Sequence, residues 1–143
     1  MATIHTVYQG DLRTEATHLQ SGTVINTDAP TDNNGRGEAF SPTDLVAGAL
    51  GSCMMTIMGI RARREGIDLT GSEMAITKIM TTEGPRKIAR IEINLTMLTP
   101  EELPSEKKAE LEQAAHTCPV ALTLHPDVQQ VLRFEWKVAE QVD

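Results

Sequence analysis

Two cysteines, Cys53 and Cys118, are the residues of this chain best suited to covalent chemistry, and they lie 65 positions apart. A thiolate is a nucleophile and a reductant, so each cysteine is either an inert small core residue or a reactive centre, depending on what surrounds it. Pro119 follows Cys118 directly. It cannot continue a preceding helix but favours the first position of a new one, which makes Cys118 the candidate N-cap of a short helix at Val120 to Leu124. Unpaired N–H groups at such an end would lower the thiol pKa. The plain alternative is a buried small residue at a helix junction. Cys53 sits too far inside its expected helix for the helix end to act on it, so its thiolate needs a cation from elsewhere in the fold. His116 stands two positions before Cys118 and could serve it as a base, or join the two cysteines as a metal ligand. No CxxC or HxxxH spacing supports zinc. His5, His18 and His125 read as surface residues.

The elements that must position these thiols are legible as local signals. Thr3 to Thr27 is rich in Thr, Val, Ile and Tyr, with turns at Gln9-Gly10-Asp11 and Gln20-Ser21-Gly22, the pattern of a strand meander. Asp28 to Phe40 has no periodicity and reads as a long loop. Ser41-Pro42-Thr43-Asp44 then supplies an N-cap hydroxyl, Pro at the first helical position and an acid three residues after the cap. Arg61, Arg63 and Arg64 suit the negative end of the helix dipole and Gly66 the left-handed terminus, so a helix is predicted from about Pro42 to Glu65. Its apolar positions cover most of the circumference, which predicts burial nearly all round and, since one small domain would struggle to supply that, a homodimer. Small residues from Ala47 to Ser52 would let another backbone approach.

Ser72 to Thr82 is a weaker strand joined through Glu83-Gly84-Pro85-Arg86 to a strand of clear period two, in which Ile91, Ile93, Leu95 and Met97 alternate with polar neighbours. Leu132, Phe134, Trp136 and Val138 alternate likewise near the C-terminus. A second helix opens at Leu103-Pro104-Ser105 and runs to about His116. Strands at both ends with helices between them define an α+β class, expected as a single domain over residues 1–143.

Composition narrows the function classes. The chain has 143 residues, 40% of them hydrophobic, and a net charge of −7 from 20 acids and 13 bases. Only four aromatics occur and the bases are scattered, so neither a phosphate-tracking surface nor a stacking platform for nucleic acid is expected. The N-terminal residues lack the basic and apolar segments of a signal peptide, and the uncharged run from Leu45 to Ile60 is shorter than the about 20 residues of a membrane span. A cytoplasmic protein without a membrane partner is expected.

The words around the two cysteines, Phe40-Ser41-Pro42-Thr43-Asp44-Leu45 through Ala49-Leu50-Gly51-Ser52-Cys53 and then Cys118-Pro119-Val120, resemble the OsmC/Ohr family of osmotically inducible and organic hydroperoxide resistance proteins. The resemblance covers nearly the whole chain and implies an OsmC-like α+β fold assembled as an intertwined homodimer. It further implies a thiol peroxidase with no cofactor and no metal. Cys53 would attack an organic hydroperoxide and become a sulfenic acid, Cys118 would close a disulfide with it, and an external dithiol, of which lipoyl proteins are one type, would reset the site. Arg13, nine positions before the turn glycine Gly22, matches the arginine that contacts the thiolate in the Ohr branch. The glutamate that holds that arginine is replaced here by Thr43. Either the clamp is absent or a carboxylate comes from Glu38 or Asp44, and because Asp44 has a capping role, Glu38 is the remaining choice. Met54, Met55, Ile57 and Phe40 are pocket candidates, though each fits a core role as well. Two rivals stand beside this reading: a non-catalytic protein of the same fold holding an apolar ligand, and a Cys-dependent hydrolase with His116 as base to Cys118.

Overall fold

The structure, a computed structural model, describes residues 1–139; residues 140–143 of the expected domain lie outside the described residues. The chain divides into two compact units, 1–46 and 47–143. The first is an antiparallel meander of β1 (Ile4–Gly10), β2 (Arg13–His18) and β3 (Val24–Asp28), as the Thr, Val and Ile content and both turn signals predict. The β1–β2 turn carries three consecutive positive φ angles, at Gly10, Asp11 and Leu12. Leucine tolerates that region poorly, and here a hydrogen bond from Leu12 N–H to the Tyr8 hydroxyl and another from Ala29 N–H to the Leu12 carbonyl hold it. Cross-strand pairing sets Thr14 opposite Thr27, with their hydroxyls hydrogen-bonded, and Arg13 opposite Asp28.

The predicted loop from Asp28 to Phe40 is tightly folded upon itself. It contains a single 3-10 turn at Thr31–Asn33, and Pro30 O accepts from both Asn33 and Gly35 N–H while Ala29 O accepts from Gly37 N–H. Gly35 is obligatory here, because a Cβ built on it would stand 1.7 Å from Ala29 O.

Helix α1 (Pro42–Arg64) begins with the capping box that the sequence signals: Ser41 Oγ accepts from Asp44 N–H at 3.0 Å and Asp44 Oδ2 accepts from Ser41 N–H at 2.9 Å. Gly66 closes the other end at φ 70°. By length and composition α1 would suffice to cross a membrane, yet one stripe of it, including Leu50, Met54 and Met58, is fully buried in the core of the second unit. The all-round burial expected of α1 is not met within one chain. Val46, Ala49, Ser52, Thr56 and Ile60, three or four residues apart, form an exposed stripe opposite the buried one.

The second unit sets α1 against a sheet ordered β4 (Glu73–Met80), β5 (Ile88–Thr99) and β6 (Gln129–Val138). The hairpin β4–β5 is antiparallel and β5–β6 parallel. A parallel pair requires a crossover, supplied here by α2 (Ser105–His116) and α3 (Pro119–Thr123). Ile91, Ile93, Leu95 and Met97 are buried as their period of two predicts, each burial contributing about 1.5–3 kcal/mol. Leu132, Phe134 and Trp136 pack beside them, whereas Val138, expected on the same dry face, is exposed at the strand end. Gly51 brings α1 close to β4, since an added Cβ there would meet Ile76 Cδ1 at 2.5 Å.

Candidate functional site

Within the second unit the fold brings Cys53 and Cys118 together. Cys53 lies on α1 one position from the buried Met54 and is half-buried. Cys118 occupies the joint between α2 and α3, fully buried in the core cluster. It is the N-cap of α3 with Pro119 at the first helical position, as the Cys-Pro pair predicts, and its Sγ accepts from Ala121 N–H at 3.3 Å. Both cysteines are free thiols.

The expected consequence of that cap is reversed. Burial pushes the Cys118 thiol above its ordinary pKa; the hydrogen bond from Ala121 and the weaker one from Val120 N–H oppose this, while a hydrogen bond and charge shared with Cys53 reinforce it. A five-residue helix has little dipole to offer, and a sulfur with no access to water loses more by desolvation than two N–H groups return. Burial therefore favours the neutral thiol at Cys118, beside Cys53 in the same core cluster.

The same placement removes His116 as a base for Cys118. His116 ends α2 with an exposed side chain, while Cys118 is enclosed. Among the described residues no group of three or more His, Cys, Asp or Glu side chains could hold a metal ion. His5, His18 and His125 are exposed. Of the expected pocket residues, Met54 is fully buried core, Met55 and Ile57 pack at the core margin, and Phe40 is 64% exposed.

The first unit holds the other expected residues. Arg13 opens β2, and its Nη1 lies 3.2 Å from Glu38 Oε2. Arg13 and Glu38 are thus paired, while Asp44 closes the helix cap and Thr43 shares a hydroxyl hydrogen bond with Ser41. At 29% and 55% side-chain exposure the ion pair contributes well under 1 kcal/mol to stability once water screens it. One neighbour of this pair escaped sequence reading. Asp28 is fully buried at the end of β3, and its Oδ2 accepts from Glu38 N–H at 3.0 Å. An Asp before Ala29-Pro30 reads as a turn residue, and the one available signal was its place opposite Arg13 in the meander.

Known proteins give the comparison. A family model described as OsmC-like protein matches residues 35–132. A solved structure from Psychrobacter arcticus 273-4, provisionally named an osmotic stress induced and detoxification response protein, is 47% identical over 94% of this chain and 96% of its own, with a TM-score of 0.88. The organic hydroperoxide resistance protein OhrB of Bacillus subtilis is 22% identical over 94% of this chain and 98% of its own, with a TM-score of 0.64. An organic hydroperoxide resistance protein OsmC from Legionella pneumophila is 17% identical over 94% and 97%, with a TM-score of 0.68. At such identities these last two share the fold and no more. No curated protein matches the chain. A family match across most of the sequence, the mixed α and β architecture with its two sheets, and a near relative of almost equal length agree: the chain belongs to the OsmC-like protein family.

Proposed function

We propose that the protein is a cysteine-based peroxidase that reduces organic hydroperoxides. The observation that carries the reading is the meeting of Cys53 and Cys118 in one core cluster, two free thiols far apart in sequence, one half-buried and one enclosed. The accessible Cys53 is the attacking sulfur. Its thiolate takes the distal oxygen of ROOH, the O–O bond breaks, and the departing alkoxide collects a proton to leave as alcohol. Cys53 is then a sulfenic acid. The thiol of Cys118 attacks that sulfur, the S–S bond forms, and the hydroxyl leaves as water with the Cys118 proton. An external dithiol restores both thiols by exchange and is itself oxidised to a disulfide. Lipoyl groups are dithiols of this kind.

Arg13 is assigned as the cation that stabilises the Cys53 thiolate, with Glu38 orienting it. A guanidinium stays charged and can bond a sulfur and a carboxylate together, and an ion pair too exposed to stabilise the fold is consistent with a functional use. The working unit is assigned as a homodimer in the cytoplasm. The uncovered stripe of α1 and exposed apolar residues on β1, among them Ile4, Val7 and Tyr8, support burial by a second copy.

Intact-mass analysis and thiol counting with stoichiometric alkyl hydroperoxide test the reading. Wild type is expected to lose both thiols to an intramolecular disulfide, and Cys118→Ser to retain one added oxygen on Cys53. Two free thiols beside unconsumed peroxide would defeat the proposal and favour a protein that only holds an apolar ligand.

A further inference from the structure

The Arg13–Glu38 pair poses a physical problem. Arg13 has a long, flexible side chain, and Glu38 stands on a loop with no strand neighbour of its own, so a pair that exposed should spend much of its time apart. The geometry points to Asp28 as the positioning residue that holds it. This assignment rests on the proposed role of Arg13 for its effect on Cys53, though not for its effect on Arg13 itself.

Three observations converge on Asp28. Its carboxylate is fully buried, and its Oδ2 grips the main chain of Glu38 through the N–H at 3.0 Å. Its own N–H donates to Phe40 O at 3.1 Å, so the segment carrying Glu38 is fastened to β3 on both sides. Asp28 is also the direct cross-strand partner of Arg13. Paired residues of an antiparallel ladder project from the same face with Cβ atoms about 4.5–5.5 Å apart, so the guanidinium sets out from beside the Asp28 carboxylate.

Oδ1 gives the arrangement its second function. It is buried and makes no hydrogen bond among the described residues. A buried carboxylate with an unsatisfied oxygen is costly unless a cation lies close enough to offset it. Arg13 is the cation placed on that face of the ladder, and its five N–H donors exceed what Glu38 can accept. Asp28 therefore fixes the acceptor, Glu38, through the main chain and draws the donor, Arg13, by charge. Glu38 touches the guanidinium and Asp28 sets where that meeting occurs.

The test reads both partners. The Arg13 Nη–H signals, followed by proton–nitrogen NMR at low temperature, are expected to be protected from exchange in wild type, where Nη1 donates to Glu38, and to lose that protection in Asp28→Ala as they do in Glu38→Gln. The rate of Cys53 alkylation near neutral pH should fall about tenfold in both variants, the order expected for loss of a neighbouring cation, with no further fall in the double variant. Asp28→Asn keeps the size and an acceptor for Glu38 N–H while removing the charge; it covers the case in which Asp28→Ala does not fold, and should change signal and rate in the same direction. A lowered Tm with the Arg13 signal unchanged makes Asp28 a structural residue only and overturns the assignment, as does a double variant whose fall in rate is the product of the two. Arg13→Ala separates the two levels. If it leaves the alkylation rate unchanged, the proposed role of Arg13 fails, and the Arg13 signal in Asp28→Ala, with Arg13 intact, alone decides for or against Asp28.

Discussion

Gly35→Ala should damage this protein far more than a methyl group on a surface loop normally would. The added Cβ would stand 1.7 Å from Ala29 O and 2.1 Å from Ala29 C. No rotamer relieves a clash between Cβ and main chain, so the loop must open by roughly 1.5 Å to restore a C···O separation above about 3.2 Å. Opening breaks the turn in which Gly35 N–H meets Pro30 O at 3.0 Å and Gly37 N–H meets Ala29 O at 3.2 Å. It also strains the Glu38 N–H bond to the buried Asp28. Two ordinary hydrogen bonds at about 0.5–1.5 kcal/mol each and one to a charged acceptor at about 1.5–3 kcal/mol give a loss of about 2.5–6 kcal/mol, centred on about 4 kcal/mol. For a chain of this size that is a fall in Tm of about 10 °C. Urea unfolding of the reduced protein followed by circular dichroism measures it, at fixed protein concentration because association would couple to stability. On the proposed role of Arg13, a second readout is the rate of Cys53 alkylation, which should fall because Glu38 rides on the same loop. A variant within about 0.5 kcal/mol of wild type with unchanged alkylation would refute the reasoning, since it would mean that the loop accommodates a conformation without these hydrogen bonds.

Other perturbations test separate parts of the structure. The Cys118 thiol, whose pKa burial raises, favours the folded state while neutral, so this stabilisation is complete below the ordinary thiol pKa and fades as pH rises through the raised value. The Tm difference between reduced wild type and Cys118→Ala should accordingly shrink as pH climbs above about 9; a constant difference would remove the raised pKa. Gly48 and Gly59 have open space where a Cβ would stand, so in an isolated helix alanine at either would stabilise by about 0.5–1 kcal/mol. If a second copy packs closely along this side of α1, Gly48→Ala should instead weaken the dimer in sedimentation, and an unshifted association would argue against that packing. Leu12→Asn should stabilise by about 0.5–1 kcal/mol in denaturant titration, because Asn tolerates the φ of 63° better than Leu.

Sequence reading succeeded where a local rule decides and stopped where depth does. The Ser41 to Asp44 box, the period of two in Ile91 to Met97 and the Cys118-Pro119 cap each act through neighbours within a few residues, so the chain itself spells them out. Helix position alone suggested a lowered Cys118 pKa, but the sulfur lies inside the core, and burial depends on the crossover that carries it there. The same limit applies to the carboxylates. Glu38, Asp44 and Asp28 are all plausible partners for a cation until tertiary placement assigns Asp44 to the helix cap, Asp28 to the interior and Glu38 to Arg13. Which face of α1 stays bare was hidden as well, because an apolar circumference does not say which side the rest of its own chain covers.

The parallel pairing of β5 with β6 also has a consequence for biosynthesis. Cys53 leaves the ribosome long before Cys118, and the enclosure of Cys118 requires the crossover helices and then β6 to dock on β5. Until that last strand arrives, the apolar face of β5 is incompletely covered and Cys53 has no thiol beside it. On the proposed chemistry, a nascent chain made during oxidative stress passes through an interval in which oxidised Cys53 can proceed to sulfinic acid with no second sulfur to intercept it. Pulse-labelled chains synthesised under peroxide should carry more irreversibly oxidised Cys53 than mature protein given the same dose, and equal fractions would show that the interval is too brief to matter.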